Sequence, residues 1–295
     1  MKLGVIGLGT MGRPIAHHLY RPTDTLTVSS QNTEVFEEFT TKGIAASTDV
    51  TICRDSDIIF ICVPDGEIVK DILFGSGGLA ATVRPGTLIV DLSTVVYQDA
   101  LEVAARLADM QINFLDAPVS GMEKRANEGT LTIMAGGEKD LFEKAKPYLE
   151  RIGTKVLHMG KVGNGQLMKM TNQLVYDTNI AALAEVVPMA VKIGLDPVQI
   201  VEVINTGTGR SYASEYFLPH ILDEIFDTSY TLKGAYKDII SAHKISADHN
   251  IPMPVISAMT AVYQTALREG HGSKDKGAMI LVFEKLLGIK VRRDK

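Results

Sequence analysis

"KLGVIGLGTMGRPIAHHL", residues 2–19, sets an apolar run directly against glycines at 7, 9 and 12 and then continues with apolar residues at helical spacing. Leu3 to Ile6 reads as a buried strand, and Ile15, Ala16 and Leu19 share one face of a following helix. A bare G-x-G-x-x-G also marks ordinary tight turns. Here strand, turn and helix come in unbroken succession. In such a unit the first glycine permits the turn, the second lets the backbone approach a pyrophosphate, and the third lets helix pack on strand. Gly7, Leu8, Gly9, Thr10, Met11 and Gly12 are the expected phosphate cradle, with the amides of the helix start turned toward it.

The same rhythm runs on to about Gly160. LGVIG, TLTVSS, DIIFICVP, GTLIVDLS, INFLDAPVS, LTIMAGG and KVLHMG alternate with helical patterns, which predicts a mainly parallel sheet flanked by helices. Ile58 to Val63 and Leu88 to Val90 are apolar without alternation, as strands covered on both faces are. From Gly163 and Gly165 onward the pattern turns helical. A long helix is expected through Leu167–Ile193 with Pro188 kinking it, then a stop at Gly194, a cap at Asp196 and a first-turn proline at Pro197. Further helices are expected near 215–225, 232–248, 254–269 and 276–287. The fold class is an α/β Rossmann-type doubly wound sheet followed by an all-α carboxyl-terminal domain, divided as 1–162 and 163–295.

A chain of 295 residues buries enough surface for two cores, and a net charge of −5 with interspersed signs offers no basic field. Nucleic acid and membrane are therefore not expected as partners. Cys53 and Cys62 match neither a redox pair nor a zinc knuckle, so they are read as reduced thiols and the chain as cytoplasmic. No leader and nothing approaching a membrane-spanning apolar length is expected. The closing KVRRDK reads as a frayed tail.

Chemistry is expected in three clusters. The segment after the second strand, Ser29, Ser30, Gln31 and Asn32, lacks both a carboxylate for a free ribose and an arginine for a 2′-phosphate. Its hydroxyls and amides suit NAD or NADP, with a slight preference for NADP. In LDAPVSGMEKRANEGTLTIMAGG, Ser120 and Gly121 follow a strand and offer a hydroxyl with backbone amides, a nest suited to a carboxylate. In GNGQLMKMTNQL, Lys169, Asn172 and Gln173 lie at i, i+3 and i+4 on one helix. Such a lysine is commonly a solvated surface residue. Buried against a nicotinamide, its pKa falls toward the working range and it moves a proton on a substrate oxygen. The histidines at 17, 18, 158, 220, 243, 249 and 271 form no ligand set, and no G-x-S-x-G elbow occurs, so neither a metal nor a nucleophilic serine is expected.

Taken in order, GLGTMGRPIAHHL, DLSTV, DAPVSG, GTLTIMAGG, GNGQLMKMTNQ and YKDI resemble the β-hydroxyacid dehydrogenases, the family of 3-hydroxyisobutyrate dehydrogenase and tartronate semialdehyde reductase. The resemblance covers nearly the whole chain. It implies a helical domain that pairs between subunits as a homodimer or homotetramer, a small carboxylated substrate in a cleft between the domains, and NAD or NADP as cofactor. Lys169 is implied as the catalytic acid and base. Ser120, Gly121 and Met122 are implied at the substrate carboxylate, and Asn172 and Gln173 beside it. Thr94 is implied to meet both nicotinamide and substrate. Val63, Pro64 and Lys237 are implied at the cofactor, with Asp238 supporting Lys237. Three positions depart from the family pattern: Met122 and Arg125 stand where glycines are common, and Gln173 where asparagine is usual. NTGTGRSYASE resembles one branch, the 2-(hydroxymethyl)glutarate dehydrogenases, which implies that Arg210 and Ser211 greet a distal acidic group. Two rivals remain open: an imine reductase on this architecture, and a dinucleotide-binding scaffold whose chemistry has lapsed.

Overall fold

The computed structural model describes residues 1–293; the last two residues of the KVRRDK tail lie outside the described residues. The chain forms two compact units that part within one helix, Met1–Lys169 and from Met170 on.

In the first unit the elements run β1 (Lys2–Ile6), α1 (Gly12–Leu19), β2 (Thr25–Ser29), α2 (Glu37–Thr40), β3 (Ala45–Ser47), β4 (Ile58–Ile61), α3 (Gly66–Phe74), β5 (Leu88–Asp91), α4 (Tyr97–Asp109) and β6 (Asn113–Asp116). They build a six-stranded sheet in the order β3-β2-β1-β4-β5-β6, all pairs parallel. This is the dinucleotide-fold order, whose strand sequence reverses direction between β1 and β4. The apolar runs that fail to alternate now have a physical reason. Ile58, Phe60, Leu88 and Val90 enter one apolar cluster, while Ile59, Ile61 and Ile89 enter another on the opposite face. Each such fully buried side chain contributes roughly 1.5–3 kcal/mol.

Three expectations need correcting here. The later strands do not extend the main sheet: β7 (Val119–Ser120), β8 (Leu131–Ala135) and β9 (Gly153–His158) form a second, three-stranded sheet, with α5 (Met122–Asn127) and α6 (Lys139–Leu149) between them. β7 pairs antiparallel to β8, because the short α5 hairpins the chain back where a parallel return needs a longer crossover. The short strand β3, with only Ala45, Ala46 and Ser47, carries no apolar signal and was not expected at all. The carboxyl-terminal segment is not frayed through Arg293: Val291 is buried and donates its amide to Glu284 at 2.7 Å, and Arg293 pairs with Asp223 at 2.8 Å.

The helix that begins the second pattern, α7 (Asn164–Ile193), runs unbroken through Pro188. By length and composition it would suffice to cross a membrane, contrary to the expectation that no stretch approaches that length. It instead seats Ile180, Ala181, Ala184 and Val187 in the apolar core of the second unit. Asp196 caps α8 (Pro197–Thr206) by accepting the Gln199 amide at 2.9 Å, as its Asp-Pro start predicts. Then follow α9 (Tyr212–Leu222), α10 (Leu232–Asp248), α11 (Pro254–Arg268) and α12 (Ile280–Leu287). A 3₁₀ turn at Lys276–Met279 takes the place of the expected first turn of the last helix. Inside this unit Lys276 and Asp177 form a buried ion pair, and the Lys276 ammonium lies 4.7 Å from the centre of the Tyr176 ring.

Candidate active site

The glycine turn leaves β1 beside β4, where the sheet order reverses. Gly7 has φ +94°, a conformation that side chains disfavour, and a Cβ there would lie 2.2 Å from the Cys62 carbonyl oxygen. A Cβ on Gly12 would lie 1.9 Å from the Gly7 carbonyl oxygen, so only glycine lets α1 start this close to β1. Gly9 differs: it is exposed and nothing lies within 4 Å of its missing Cβ. Space therefore forces glycine at 7 and 12 within the protein itself, whereas at 9 its bare backbone leaves room for a ligand to approach. That division matches the three separate duties of the dinucleotide turn.

At the end of β2, Ser29 and Ser30 are buried, Gln31 and Asn32 exposed. The Ser30 hydroxyl accepts the Asn32 amide at 3.1 Å, and Gln31 donates to the Thr48 carbonyl at 3.2 Å. No carboxylate stands in 29–32; the first acid is the exposed Glu34. Val63, half-buried just past β4, donates its amide to the Ser93 hydroxyl at 3.0 Å, and Pro64 beside it is exposed.

Beyond β5 and β6 lies a set of residues that motif reading passed over. Asp91 and Asp116 end neighbouring strands in register, both buried. Asp91 accepts the Ser93 amide at 2.9 Å. Asp116 accepts the amides of Gly163 at 2.7 Å and Gln166 at 2.9 Å, so a strand-end carboxylate satisfies amides around the first turn of α7. Burial, opposed by hydrogen bonds from Ser93 and reinforced by the Asp116 charge, lifts Asp91 to about 7. Burial likewise lifts Asp116 to about 6 against the pull of its amide donors. The glycines of GNG explain themselves in this setting. A Cβ on Gly165 would lie 2.3 Å from the Met134 carbonyl and 2.7 Å from Asp116. The helix start thus lies directly on the strand ends.

Gln166 is buried, and its side chain bonds both flanks of Thr94: it accepts the Val95 amide at 3.1 Å and donates to the Ser93 carbonyl at 2.8 Å. Thr94 and Lys169, both half-buried, stand on the two segments that Gln166 joins. The sequence held a signal for these four residues, since Asp91 and Ser93 lie in DLSTV, Asp116 in DAPVSG and Gln166 in GNGQLMK.

The Ser120 loop carries unusual backbone. Gly121 has φ +147°, and Met122 after it has φ +58°, a left-handed conformation that a side chain adopts at a cost. A glycine would sit there without strain. Arg125, half-buried, turns back to donate to the Thr130 carbonyl of its own loop.

In the second unit Asn172 is exposed on α7, and Gln173 is buried with its amide nitrogen donating to Asp238 at 2.9 Å. Burial raises the Asp238 carboxyl, against the pull of the neighbouring Lys237 charge and the Gln173 bond. Gln173 therefore braces the residue beside Lys237. Ser211 caps α9 by accepting the Ser214 amide at 3.1 Å, and Arg210 pairs with Glu215 at 3.1 Å, so each has a local structural role. Among the described residues no group of three or more His, Cys, Asp or Glu side chains is placed to hold a metal.

Comparison with known proteins covers both units. Residues 2–160 match the NAD-binding domain of 6-phosphogluconate dehydrogenase, and residues 163–283 match the NAD-binding domain of NADP-dependent 3-hydroxyisobutyrate dehydrogenase. The chain is 34% identical to a 2-(hydroxymethyl)glutarate dehydrogenase of Eubacterium barkeri over 99% of its own length and 97% of that protein's. It is 32% identical to the 2-hydroxy-3-oxopropionate reductase of Escherichia coli over 96% of this chain and 97% of that one. A crystal structure of 3-hydroxyisobutyrate dehydrogenase from Salmonella typhimurium superposes with a TM-score of 0.87 at 27% identity, covering 96% of this chain and 99% of that one.

Proposed function

The chain belongs to the β-hydroxyacid dehydrogenases, NAD(P)-dependent oxidoreductases of hydroxy acids, and from that premise we propose that it interconverts a small 3-hydroxy acid and its semialdehyde with Lys169 as general acid and base. The nicotinamide cofactor supplies the hydride acceptor or donor. In oxidation Lys169 takes the substrate hydroxyl proton; in reduction it protonates the forming alkoxide. Ser120 and the Gly121 backbone hold the substrate carboxylate, with Met122 setting the fit. Thr94 contacts both reactants. Gly7 to Gly12 and Ser30 to Asn32 hold the dinucleotide with Val63 and Pro64.

The observation that supports this reading most directly is the tie between Thr94 and the first turns of the Lys169 helix through Gln166. Two groups needed at one reacting centre stand on segments joined by one buried side chain. The absence of a carboxylate from 29–32 supports NADP over NAD, because an acid there would repel a 2′-phosphate. The exposed apolar side chains Val175, Val186, Met189 and Ile193 on α7 support a homodimer or homotetramer, which light scattering would read as a multiple of the 32.0 kDa chain. A cytoplasmic location, suited to free Cys53 and Cys62, is part of the same reading.

The test is spectroscopic. Oxidation of NADPH and NADH is followed with tartronate semialdehyde, methylmalonate semialdehyde, succinic semialdehyde and glyoxylate, and reduction of NADP and NAD with 2-(hydroxymethyl)glutarate and 3-hydroxyisobutyrate. Turnover of at least one, faster with the phosphorylated cofactor, is expected. Turnover of cyclic imines alone would replace the reading with imine reduction, and tight NADPH binding with no turnover of any acid, aldehyde or imine would replace it with a binding scaffold.

A further inference from the structure

Gln166 is the one side chain bonded to both peptide flanks of Thr94 in the hydrogen bonds described above, and it does so from the helix that carries Lys169 three residues later. Its backbone amide is held in turn by Asp116, which also holds Gly163. Ser93, whose carbonyl receives the Gln166 amide nitrogen, is fixed from two more sides: its amide donates to Asp91 and its hydroxyl accepts from Val63. The result is a closed run of bonds from β4 through β5 and β6 to the start of α7.

We propose that Gln166 is a positioning residue of the active site, registering the Thr94 backbone against the turn of α7 that carries Lys169, with Asp116 fixing where that helix begins. This rests on the reading of Lys169 as acid and base. A lysine ammonium rides on a flexible stem, so its helix must be held in depth for the nitrogen to meet a substrate oxygen held beside Thr94. Reacting groups need contact near 3–3.5 Å, and a misplacement of about 1 Å costs about 10²-fold in rate. The chemistry of the position selects glutamine. One donor must meet the Ser93 carbonyl and one acceptor the Val95 amide, a pair that a carboxamide carries and that neither methionine nor an ionised glutamate does. A glutamate there would also add a carboxylate to a region that already buries Asp91 and Asp116.

The test compares Gln166→Met, Gln166→Glu and Asp116→Asn with the unaltered protein and with Lys169→Ala. Two readouts are taken. The first is the rate at which trinitrobenzenesulfonate labels Lys169 as a function of pH, resolved by peptide mass spectrometry, with Lys161 and Lys192 as internal controls; it requires no known substrate. The second is kcat beside the Kd for NADPH, read from cofactor fluorescence. Gln166→Met is expected to change Lys169 labelling at least threefold with the controls unmoved, and to lower kcat by about 10- to 100-fold with the NADPH Kd within threefold of the original. Gln166→Glu is expected to shift the Lys169 labelling profile to higher pH, since added negative charge favours the ammonium. Unchanged Lys169 labelling and unchanged kcat in Gln166→Met would overturn the proposal. A loss shared equally by kcat, NADPH binding and all three lysines marks unfolding of that variant, and Gln166→Glu and Asp116→Asn then decide by the same criteria. A Lys169→Ala protein that turns over normally would sink the underlying reading instead, whatever Gln166 does.

Discussion

Asp116 and Asp177 are both sealed from solvent, and each unit of the molecule satisfies its acid by a different means. In the first, Asp116 lies against the backbone amides of Gly163 and Gln166, and no side-chain cation is among the groups that shift it. In the second, Asp177 meets the ammonium of Lys276. Amides hold a carboxylate only where the chain itself comes close, so the first arrangement fixes backbone, and it does so at the start of the helix that carries Lys169. An ion pair holds side chains, and here it ties α7 to the turn before α12. Gly7 and Gly12 of the first unit likewise bring backbone against backbone, whereas the ion pair of the second joins side chains across helices.

The largest expected effect breaks the second arrangement. Lys276→Met leaves Asp177 buried without its cation and should destabilise the protein by about 3–5 kcal/mol, with most of the loss recovered in the double variant that adds Asp177→Leu. Urea unfolding of the three proteins measures this; a single variant as stable as the original would mean that the pair is not what satisfies Asp177. The next breaks the first arrangement. Gly12→Ala drives a Cβ into the Gly7 carbonyl and should cost about 1–3 kcal/mol together with dinucleotide binding. Gly9→Ala, with open space at its Cβ, should keep its melting temperature and lose NADPH affinity alone. Equal melting losses in the two would erase the distinction between packing and binding glycines.

A further effect follows from the proton affinity of the amide-held acids. Asp91 is raised from 3.8 to about 7 and Asp116 to about 6. Between those limits the folded protein holds more protons than the unfolded chain, so this contribution to stability is full below pH ~4 and fades as pH rises toward 7. Asp91→Asn should flatten that fall, measured as the change in unfolding free energy between pH 4.5 and 7.5. A slope equally steep in the variant would assign it to other groups. The smallest effect is at Met122, whose left-handed backbone costs about 1–2 kcal/mol, offset by the greater freedom of glycine in the unfolded chain. Met122→Gly should be neutral or up to about 1 kcal/mol more stable by thermal melting, while altering the ranking of semialdehydes. A clear loss of stability would show that the Met122 side chain outweighs its backbone strain.

The legible parts of the sequence were those written in local pattern. The 7-9-12 glycines, the unbroken apolar runs of β4 and β5, and the Gly194, Asp196, Pro197 stop and start each state their structure within a few residues. What escaped was set by partners distant in the chain. β3 exists because Ala45–Ser47 pairs with β2, and no side chain of its own announces a strand. β7 to β9 separate from the main sheet because the chain doubles back after Ser120, a matter of pairing that apolar content does not encode. Lys169, Thr94 and Ser120 are proposed from their motifs. Asp91, Ser93, Asp116 and Gln166 stand out only in the structure, because their meaning lies in bonds joining residues up to 73 positions apart. The burial of Gln173 against Asp238 gives it a bracing role that spacing on one helix face does not reveal.

Whether Lys169 moves the proton is read most directly from the turnover of Lys169→Ala beside its NADPH affinity. A fall in kcat of about 10²–10⁴-fold with the NADPH Kd nearly unchanged is expected. Turnover close to that of the unaltered protein would contradict it.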